Sequence, residues 1–85
     1  MTRYLYLRYL RDMLGIKQKE MAETIGCTPS AYSKKENGTV KLSLPESQQI
    51  VKLINDKLKE KNLSSQSYET IFFVNNVPNM EQRGD

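Results

Sequence analysis

The chain has 85 residues, a hydrophobic content of 38% and a net charge of +3, so it is long enough for one small core and too short for two domains. It contains no histidine and one cysteine, which excludes a Cys/His zinc site, an intramolecular disulfide and His-based catalysis. No apolar run reaches the ~18–20 residues that a membrane span needs. We therefore predict a single domain that is not an enzyme and has no catalytic residues, metal, cofactor, small-molecule ligand or membrane span.

Positive charge is concentrated in the first half of the chain. Residues 1–41 carry eight cationic and four anionic side chains, a net +4, whereas residues 42–85 carry five and six, a net −1. A basic half indicates a polyanionic partner, of which nucleic acid is the commonest. A solvated surface that is merely slightly basic explains the same counts, so charge alone does not decide between the two.

Helix signals occupy most of the chain. Gly15 is placed to end a first helix, Thr28-Pro29 to begin a third, and Ser43 to begin a fourth through a capping box with Glu46. The predicted helices are Tyr4 to about Met13, Gln18 to Ile25, Pro29 to Glu36, Leu44 to a fraying region at Asp56–Lys61, and one or two turns at Tyr68–Phe73. This pattern predicts an all-α domain over residues 1–73 and an irregular tail over 74–85.

The link between the second and third helices is very short. It consists of Gly26 and Cys27, with Thr28 as the cap, and so forces a large angle between the helices, as in a helix-turn-helix. The stretch Leu7–Asn55 resembles the Cro/cI-type (XRE-type) helix-turn-helix DNA-binding domains. The matching residues are Gln18, Glu20, Met21, Ala22, Ile25, Gly26, Thr28, Tyr32, Glu36, Asn37 and Gly38. The resemblance implies a lambda-repressor-like bundle of four to five short helices.

The resemblance also implies roles for individual residues. The third helix would read base edges in the major groove, and the residues it assigns to that task are Pro29, Ser30, Ser33 and Lys34. The residues it assigns to DNA phosphates are Lys17, Gln18, Thr28, Asn37, Thr39 and Lys41. An ion pair between Arg11 and Glu36 is expected to tie the first helix to the third.

Two residues depart from the pattern of the family. Lys35 occupies a position that is usually apolar. Either its aliphatic stem lies over the core with the ammonium outside, or the third helix packs differently on the fourth. Lys17 replaces the usual capping residue and offers a phosphate contact in its place. Both departures affect which contacts these two lysines make, and neither changes the predicted fold.

We interpret the chain as a sequence-specific regulator that binds double-stranded DNA, typical of a Cro-like repressor of a phage or mobile element acting in the cytoplasm of a bacterial or phage-infected cell. One recognition helix reads only a few base pairs, so we expect a homodimer, with a candidate interface at Tyr68, Ile71, Phe72, Phe73 and Val74.

An antitoxin or antirepressor that reuses the fold for protein binding is the alternative. Single-stranded RNA binding lacks the expected aromatics on a sheet. The residues identify neither the operator nor the regulated genes, and leave activator and repressor open.

Overall fold

Five α-helices form the part of the chain that the structure describes. A computed structural model describes residues 4–73, with helices α1 (Leu5–Leu14), α2 (Gln18–Ile25), α3 (Pro29–Glu36), α4 (Leu44–Glu60) and α5 (Tyr68–Phe73). No strand occurs within this range, and the predicted all-α bundle is confirmed. The tail predicted at 74–85 lies outside the described residues.

Local signals mark the ends of α1 and α2 and the starts of α3 and α4. Gly15 and Gly26 end α1 and α2 with φ of 71° and 79°, a left-handed conformation that glycine adopts without the steric cost of a Cβ. The Thr28 side chain caps α3, and Ser43 forms the predicted capping box with Glu46 at the start of α4. These signals act within one helical turn, and for that reason they are readable from the sequence.

The fourth helix continues further than its charged end indicated. We expected the helix to fray within the charged run Asp56–Lys61; it stays helical to Glu60, near the end of that run. Leu58 is only 2% exposed, and Lys57 pairs with Glu20 of α2 at 3.3 Å. Packing and one ion pair to another helix thus stabilise the last turns of α4, which local sequence alone would leave weak.

One hydrophobic core holds the five helices together. Its buried residues are Leu7, Leu10, Leu14, Ile16, Met21, Ala22, Ile25, Tyr32, Ile50, Ile54, Leu58, Ile71 and Phe72. The last helix is held partly by aromatic contact, since the rings of Tyr4 and Phe72 meet edge to face with centroids 5.2 Å apart. From α3 the core receives only Tyr32, and Glu36 is the one other residue of that helix that is buried.

Candidate nucleic-acid interface

The third helix buries few of its side chains. Only Tyr32 and Glu36 of its eight residues are buried, and their spacing of four places both on the inner face. The residues expected to read bases lie on the outer face, exposed except for the half-buried Ser33: Pro29, Ser30, Ser33 and Lys34. Their spacing brings all four to one side of the helix, so they share a single accessible surface.

The turn after α3 folds back onto the end of that helix. The Lys34 carbonyl accepts hydrogen bonds from the N–H groups of Thr39 and Val40, at 2.9 and 3.1 Å. Asn37 Oδ1 accepts a second bond from the Thr39 N–H at 2.9 Å. Thr39 and Lys41 are exposed. The turn therefore holds these two phosphate candidates close to the C-terminal end of α3.

The second helix begins without a side-chain cap. Lys17 precedes it in an extended conformation, and its side chain makes no capping hydrogen bond. The first N–H groups of a helix have no intrahelical partner and form the positive end of its dipole. An uncapped start of this kind, with the exposed ammonium of Lys17 beside it, is suited to bind an anion such as a phosphate.

The side chain of Gln18 has a partner that the sequence did not indicate. Its Nε2 donates a hydrogen bond to Glu36 Oε1 at 3.3 Å, across 18 residues of sequence. Sequence reasoning missed this contact because nothing local points from α2 to the end of α3. A phosphate contact of Gln18 stays a prediction. Because the side chain is bonded to Glu36, the group of Gln18 that would bind the phosphate is its backbone N–H in the first turn of α2.

The carboxylate of Glu36 is the centre of a buried polar network. It accepts hydrogen bonds from Arg11 Nε at 2.9 Å, from Arg11 Nη2 at 3.3 Å and from the Tyr32 hydroxyl at 3.0 Å. Arg11 also donates to the Ile16 carbonyl at 3.1 Å, and the side chains of Arg11 and Glu36 are only 10% and 4% exposed. We refer to Arg11, Gln18, Tyr32 and Glu36 as the Glu36 network; it joins α1, α2 and α3.

Burial and the charge of Glu36 determine the protonation states in this network. Desolvation, and after it the charge of Glu36, raises the pKa of Tyr32 far above its ordinary value, so the phenol stays protonated and donates. Burial acts to lower the pKa of Arg11, but the hydrogen bond and charge of Glu36 outweigh it, and the pKa is raised. No buried side-chain nitrogen or oxygen within residues 4–73 lacks a hydrogen-bond partner. The network is therefore one buried anion matched to one cation and two neutral donors.

Lys35 lies between α3, the turn that follows it and α4. Its Nζ donates to Glu46 Oε1 at 3.2 Å and to the Lys41 carbonyl at 3.3 Å, and its side chain is 13% exposed. Two arrangements of Lys35 were left open by the sequence; in the structure its ammonium is bonded to the turn and to the first turn of α4. We refer to these two hydrogen bonds as the Lys35 bridge.

A positively charged surface runs along α3. It is formed by the start of α2, the outer face of α3 and the α3–α4 turn, and we call it the α3 surface. Its exposed lysines form no ion pair within residues 4–73: Lys17, Lys19, Lys34 and Lys41. The carboxylates of the first turn of α2, of α3 and of the first turn of α4 are paired: Glu20 with Lys57, Glu36 with Arg11 and Glu46 with Lys35. Because these carboxylates are paired and the lysines form no ion pair within residues 4–73, the surface carries a net positive charge of the kind that suits a polyanion.

Away from this surface, an open apolar groove lies between α4 and α5. It has a volume of about 420 Å³ and is lined by Leu44, Gln48, Val51, Lys52 and Tyr68. The exposed ring of Phe73 lies 5.9 Å from that of Tyr68. We refer to Leu44, Val51, Tyr68 and Phe73 as the α4–α5 patch.

Ile71 and Phe72, which we expected to belong to a dimer interface, are buried in the core at 0% and 6% exposure, so that assignment was wrong. Val74 lies outside the described residues.

The described residues offer few other sites. Residues 4–73 contain no group of three or more His, Cys, Asp or Glu side chains placed to hold a metal ion. None of the five helices is both long and apolar enough to cross a membrane. Cys27, in the turn between α2 and α3, is a half-buried free thiol.

Comparison with known proteins identifies a family for this chain. The family model described as helix-turn-helix matches residues 7–60, a range that runs from within α1 to the end of α4 and spans more than half of the chain. It contains the whole α3 surface and the Glu36 network. No curated protein and no solved structure matches the chain.

Proposed function

Because the chain belongs to the Cro/cI-type (XRE-type) helix-turn-helix family of DNA-binding regulatory domains, we propose that it is a sequence-specific repressor that binds duplex DNA as a homodimer. The observation that carries this proposal is α3, a helix that buries two of its eight residues and exposes a polar, cationic outer face. A helix with a purely structural role would bury an apolar stripe instead. Repression requires no more than occupancy of the operator, which a domain of this size can supply.

The outer face of α3 is proposed to read base edges. In helix-turn-helix proteins the N-terminal part of the recognition helix lies in the major groove. Lys34 is the residue with the longest reach and can donate to O6 and N7 of guanine, while Ser30 and Ser33 can donate or accept at several bases. Pro29 adds an apolar contact at the helix start. We therefore assign most of the sequence preference to Lys34.

Phosphates on the two sides of the groove are proposed to be bound by the two elements that flank α3. The contacting residues are Lys17, Gln18, Thr28, Asn37, Thr39 and Lys41. Thr28 can serve the cap and a phosphate at once: its Oγ1 accepts from the Ala31 N–H at 3.1 Å, which leaves the hydroxyl hydrogen to donate. Contacts of this kind fix the register of the protein on the duplex but carry no sequence information.

The Glu36 network supports this binding from inside the bundle. It connects α1, the start of α2 and the end of α3 through buried hydrogen bonds. The phosphate-binding start of α2 and the base-reading face of α3 are thereby held in fixed relative positions before DNA is bound. Because these elements are already ordered in the free protein, DNA binding costs less conformational entropy.

A second copy of the chain is proposed to cover the α4–α5 patch. Phe73 and Leu44 are 65% and 59% exposed, and together with the apolar groove they form a patch larger than isolated surface residues. One recognition helix reads only a few base pairs, and dimers of this class bind half-sites about one helical turn apart. A symmetric contact through the patch would present two α3 surfaces to one duplex.

Two other functions are less well supported by the same surface. An antitoxin or antirepressor would use it to bind protein, but four exposed lysines that form no ion pair with the described residues favour a polyanion. Single-stranded RNA is read mainly through exposed aromatic rings, and the one aromatic residue of α3, Tyr32, is buried.

A DNA-binding regulator acts where the DNA is, so we place its action in the cytoplasm of a bacterial or phage-infected cell.

Selection of bound sites from a random duplex pool tests the proposal. We expect enrichment of a sequence with two half-sites, and titrations in which affinity for the selected duplex falls steeply as salt rises. A scrambled duplex and a single-stranded RNA of equal length are the competitors. Lys59→Ala, which removes an exposed charge near the end of α4, is the matched control for Lys34→Ala. No enriched sequence, together with equal binding by both variants, would favour the protein-binding alternative.

A further inference from the structure

We propose that Lys35 is a positioning residue for DNA binding: the Lys35 bridge holds the α3–α4 turn in the shape that places Thr39 and Lys41 against a phosphate. This inference rests on the proposed DNA-binding function. It concerns a side chain whose position in the family pattern is usually apolar, and it assigns that side chain a role through the turn rather than through the nucleic acid.

The bridge joins three elements through one ammonium. Lys35 Nζ donates to Glu46 Oε1 in the first turn of α4, at 3.2 Å, and to the Lys41 carbonyl in the turn, at 3.3 Å. The side chains of Lys35 and Glu46 are 13% and 24% exposed. An ion pair covered to this extent is screened by solvent less than the pairs on the open surface.

Glu46 is held in place for this contact from the other side. Its Oε1 accepts the Ser43 N–H at 3.0 Å, and its own N–H donates to Ser43 Oγ at 3.2 Å, which completes the capping box. The Ser43 backbone N–H is the main cause that lowers the pKa of Glu46; burial opposes it and Lys35 adds to it. The carboxylate is therefore ionised at neutral pH, and the ammonium of Lys35 meets a fixed anion.

The consequence for the turn follows from which atom of Lys41 is bonded. Lys35 binds the backbone carbonyl of Lys41, so the side chain of Lys41 is not used by the bridge; it is exposed and forms no ion pair within residues 4–73. Just before Lys41 in the turn, the Lys34 carbonyl accepts hydrogen bonds from the N–H groups of Thr39 and Val40. The three middle residues of the turn are thus fastened to consecutive residues of α3, and the ammonium of Lys35 is already paired with Glu46.

Four variants separate positioning from direct contact. Lys35→Met keeps the length of the side-chain stem and removes the bridge, whereas Lys35→Arg keeps a hydrogen-bond donor. Glu46→Gln removes the negative charge that pairs with Lys35. Lys59→Met, on α4, removes the same charge as Lys35→Met and is the control. With a selected duplex, Lys35→Met should bind about three- to tenfold more weakly, the size expected for one or two lost hydrogen bonds. The slope of log K against log salt should stay unchanged, because no phosphate contact is lost. Lys35→Arg should restore most of the affinity, and Glu46→Gln should resemble Lys35→Met.

Amide hydrogen exchange in the free protein gives a readout that needs no DNA. Loss of the bridge should speed exchange at the Thr39 and Val40 amides several-fold relative to the Lys59→Met control, since these amides report local opening of the turn. Unchanged exchange would overturn the positioning role. A salt slope reduced by about one in Lys35→Met would also overturn it, because that would reveal a direct phosphate contact.

The failure of this inference is distinguishable from failure of the proposed function. If duplex binding by the unchanged protein is neither sequence-selective nor salt-dependent, the proposed function fails. Faster exchange in Lys35→Met then still supports a role in shaping the turn. If the unchanged protein binds duplex DNA and Lys35→Met binds with equal affinity, the function stands and the inference about Lys35 is overturned.

Discussion

Arg11 and Glu36 lie 25 residues apart in the sequence, yet their side chains share two hydrogen bonds, of 2.9 and 3.3 Å, in the interior of the bundle. The pair joins α1 to the last residue of α3. Tyr32 and Glu36 are the two buried residues of α3, and both bond within the Glu36 network. The orientation of the proposed recognition helix therefore depends in part on this network.

Replacing Arg11 by methionine tests that dependence. Arg11→Met leaves the Glu36 carboxylate buried without a cation, and the free energy of unfolding should fall by ~3–5 kcal/mol. Arg11→Met combined with Glu36→Leu should be less destabilised than Arg11→Met alone, because the buried charge is then gone. Urea unfolding with an unchanged slope is the measurement, and Arg8→Met, an exposed arginine of the same helix, is the control. A loss below ~1 kcal/mol would contradict a stabilising role for the pair.

Lys17 and Gln18 are neighbours with different expected roles. Gln18→Ala removes a donor to a buried carboxylate and should lower the free energy of unfolding by about 1–2 kcal/mol. Lys17→Ala should leave stability within about 0.5 kcal/mol and reduce the salt slope of DNA binding by about one. Urea unfolding and duplex titrations at several salt concentrations measure the two effects. If Gln18→Ala left stability unchanged and weakened DNA binding, its side chain would belong to the phosphate contact instead.

Lys34 and Lys41 should differ in what they contribute to DNA binding. Lys34→Ala should weaken binding to the selected duplex by ~1–3 kcal/mol and relax the preference at one base position. Lys41→Ala should weaken all duplexes alike and flatten the salt slope by about one. Titrations with selected and scrambled duplexes separate these outcomes. Equal losses on both duplexes for Lys34→Ala would remove its assignment to base reading.

The stability that Glu46 contributes should depend on pH in the acid range. Its pKa in the folded protein lies below the ordinary value of 4.5, mainly because the Ser43 N–H stabilises the carboxylate. A carboxyl of this kind stabilises the fold fully above its unfolded pKa, and the contribution is lost as pH falls through the folded pKa. The stability difference between the unchanged protein and Glu46→Gln should therefore be constant near neutral pH and shrink below about pH 4.5. Urea unfolding across that pH series decides; a difference that persists at pH 3 would contradict it.

Phe73 should be needed for dimer formation. Phe73→Ser removes the most exposed aromatic ring of the α4–α5 patch and should shift the mass in solution toward the monomer. It should also weaken binding to a two-half-site duplex more than to a single half-site. Leu63→Ser is the control, since Leu63 is apolar and 48% exposed but lies outside the patch. A monomeric mass of the unchanged protein at high concentration, with 1:1 binding to one half-site, would end the dimer proposal.

Much of the fold and of the α3 surface is readable from the sequence, because the signals involved act over a few residues. The capping box at Ser43, the cap at Thr28 and the left-handed Gly15 each depend on neighbours within one helical turn. The short link between α2 and α3 follows from the same local chemistry. The outward face of α3 is predictable as well, since the spacing of Tyr32 and Glu36 leaves the opposite side to solvent.

Apart from the pair of Arg11 and Glu36, which the resemblance to the family implied, the tertiary structure decided which distant groups meet. Gln18 donates to Glu36, Lys35 joins Glu46 to the α3–α4 turn, and α5 buries Ile71 and Phe72 while Phe73 stays outside. A side chain's rotamer and partner depend on residues that the fold brings close from far along the chain, and no local pattern encodes that direction. The sequence by itself therefore determined the ends of α1 and α2, the starts of α3 and α4, and which face of α3 is exposed. Packing settled how far α4 extends and which further contacts, beyond the Arg11–Glu36 pair, hold that face in position.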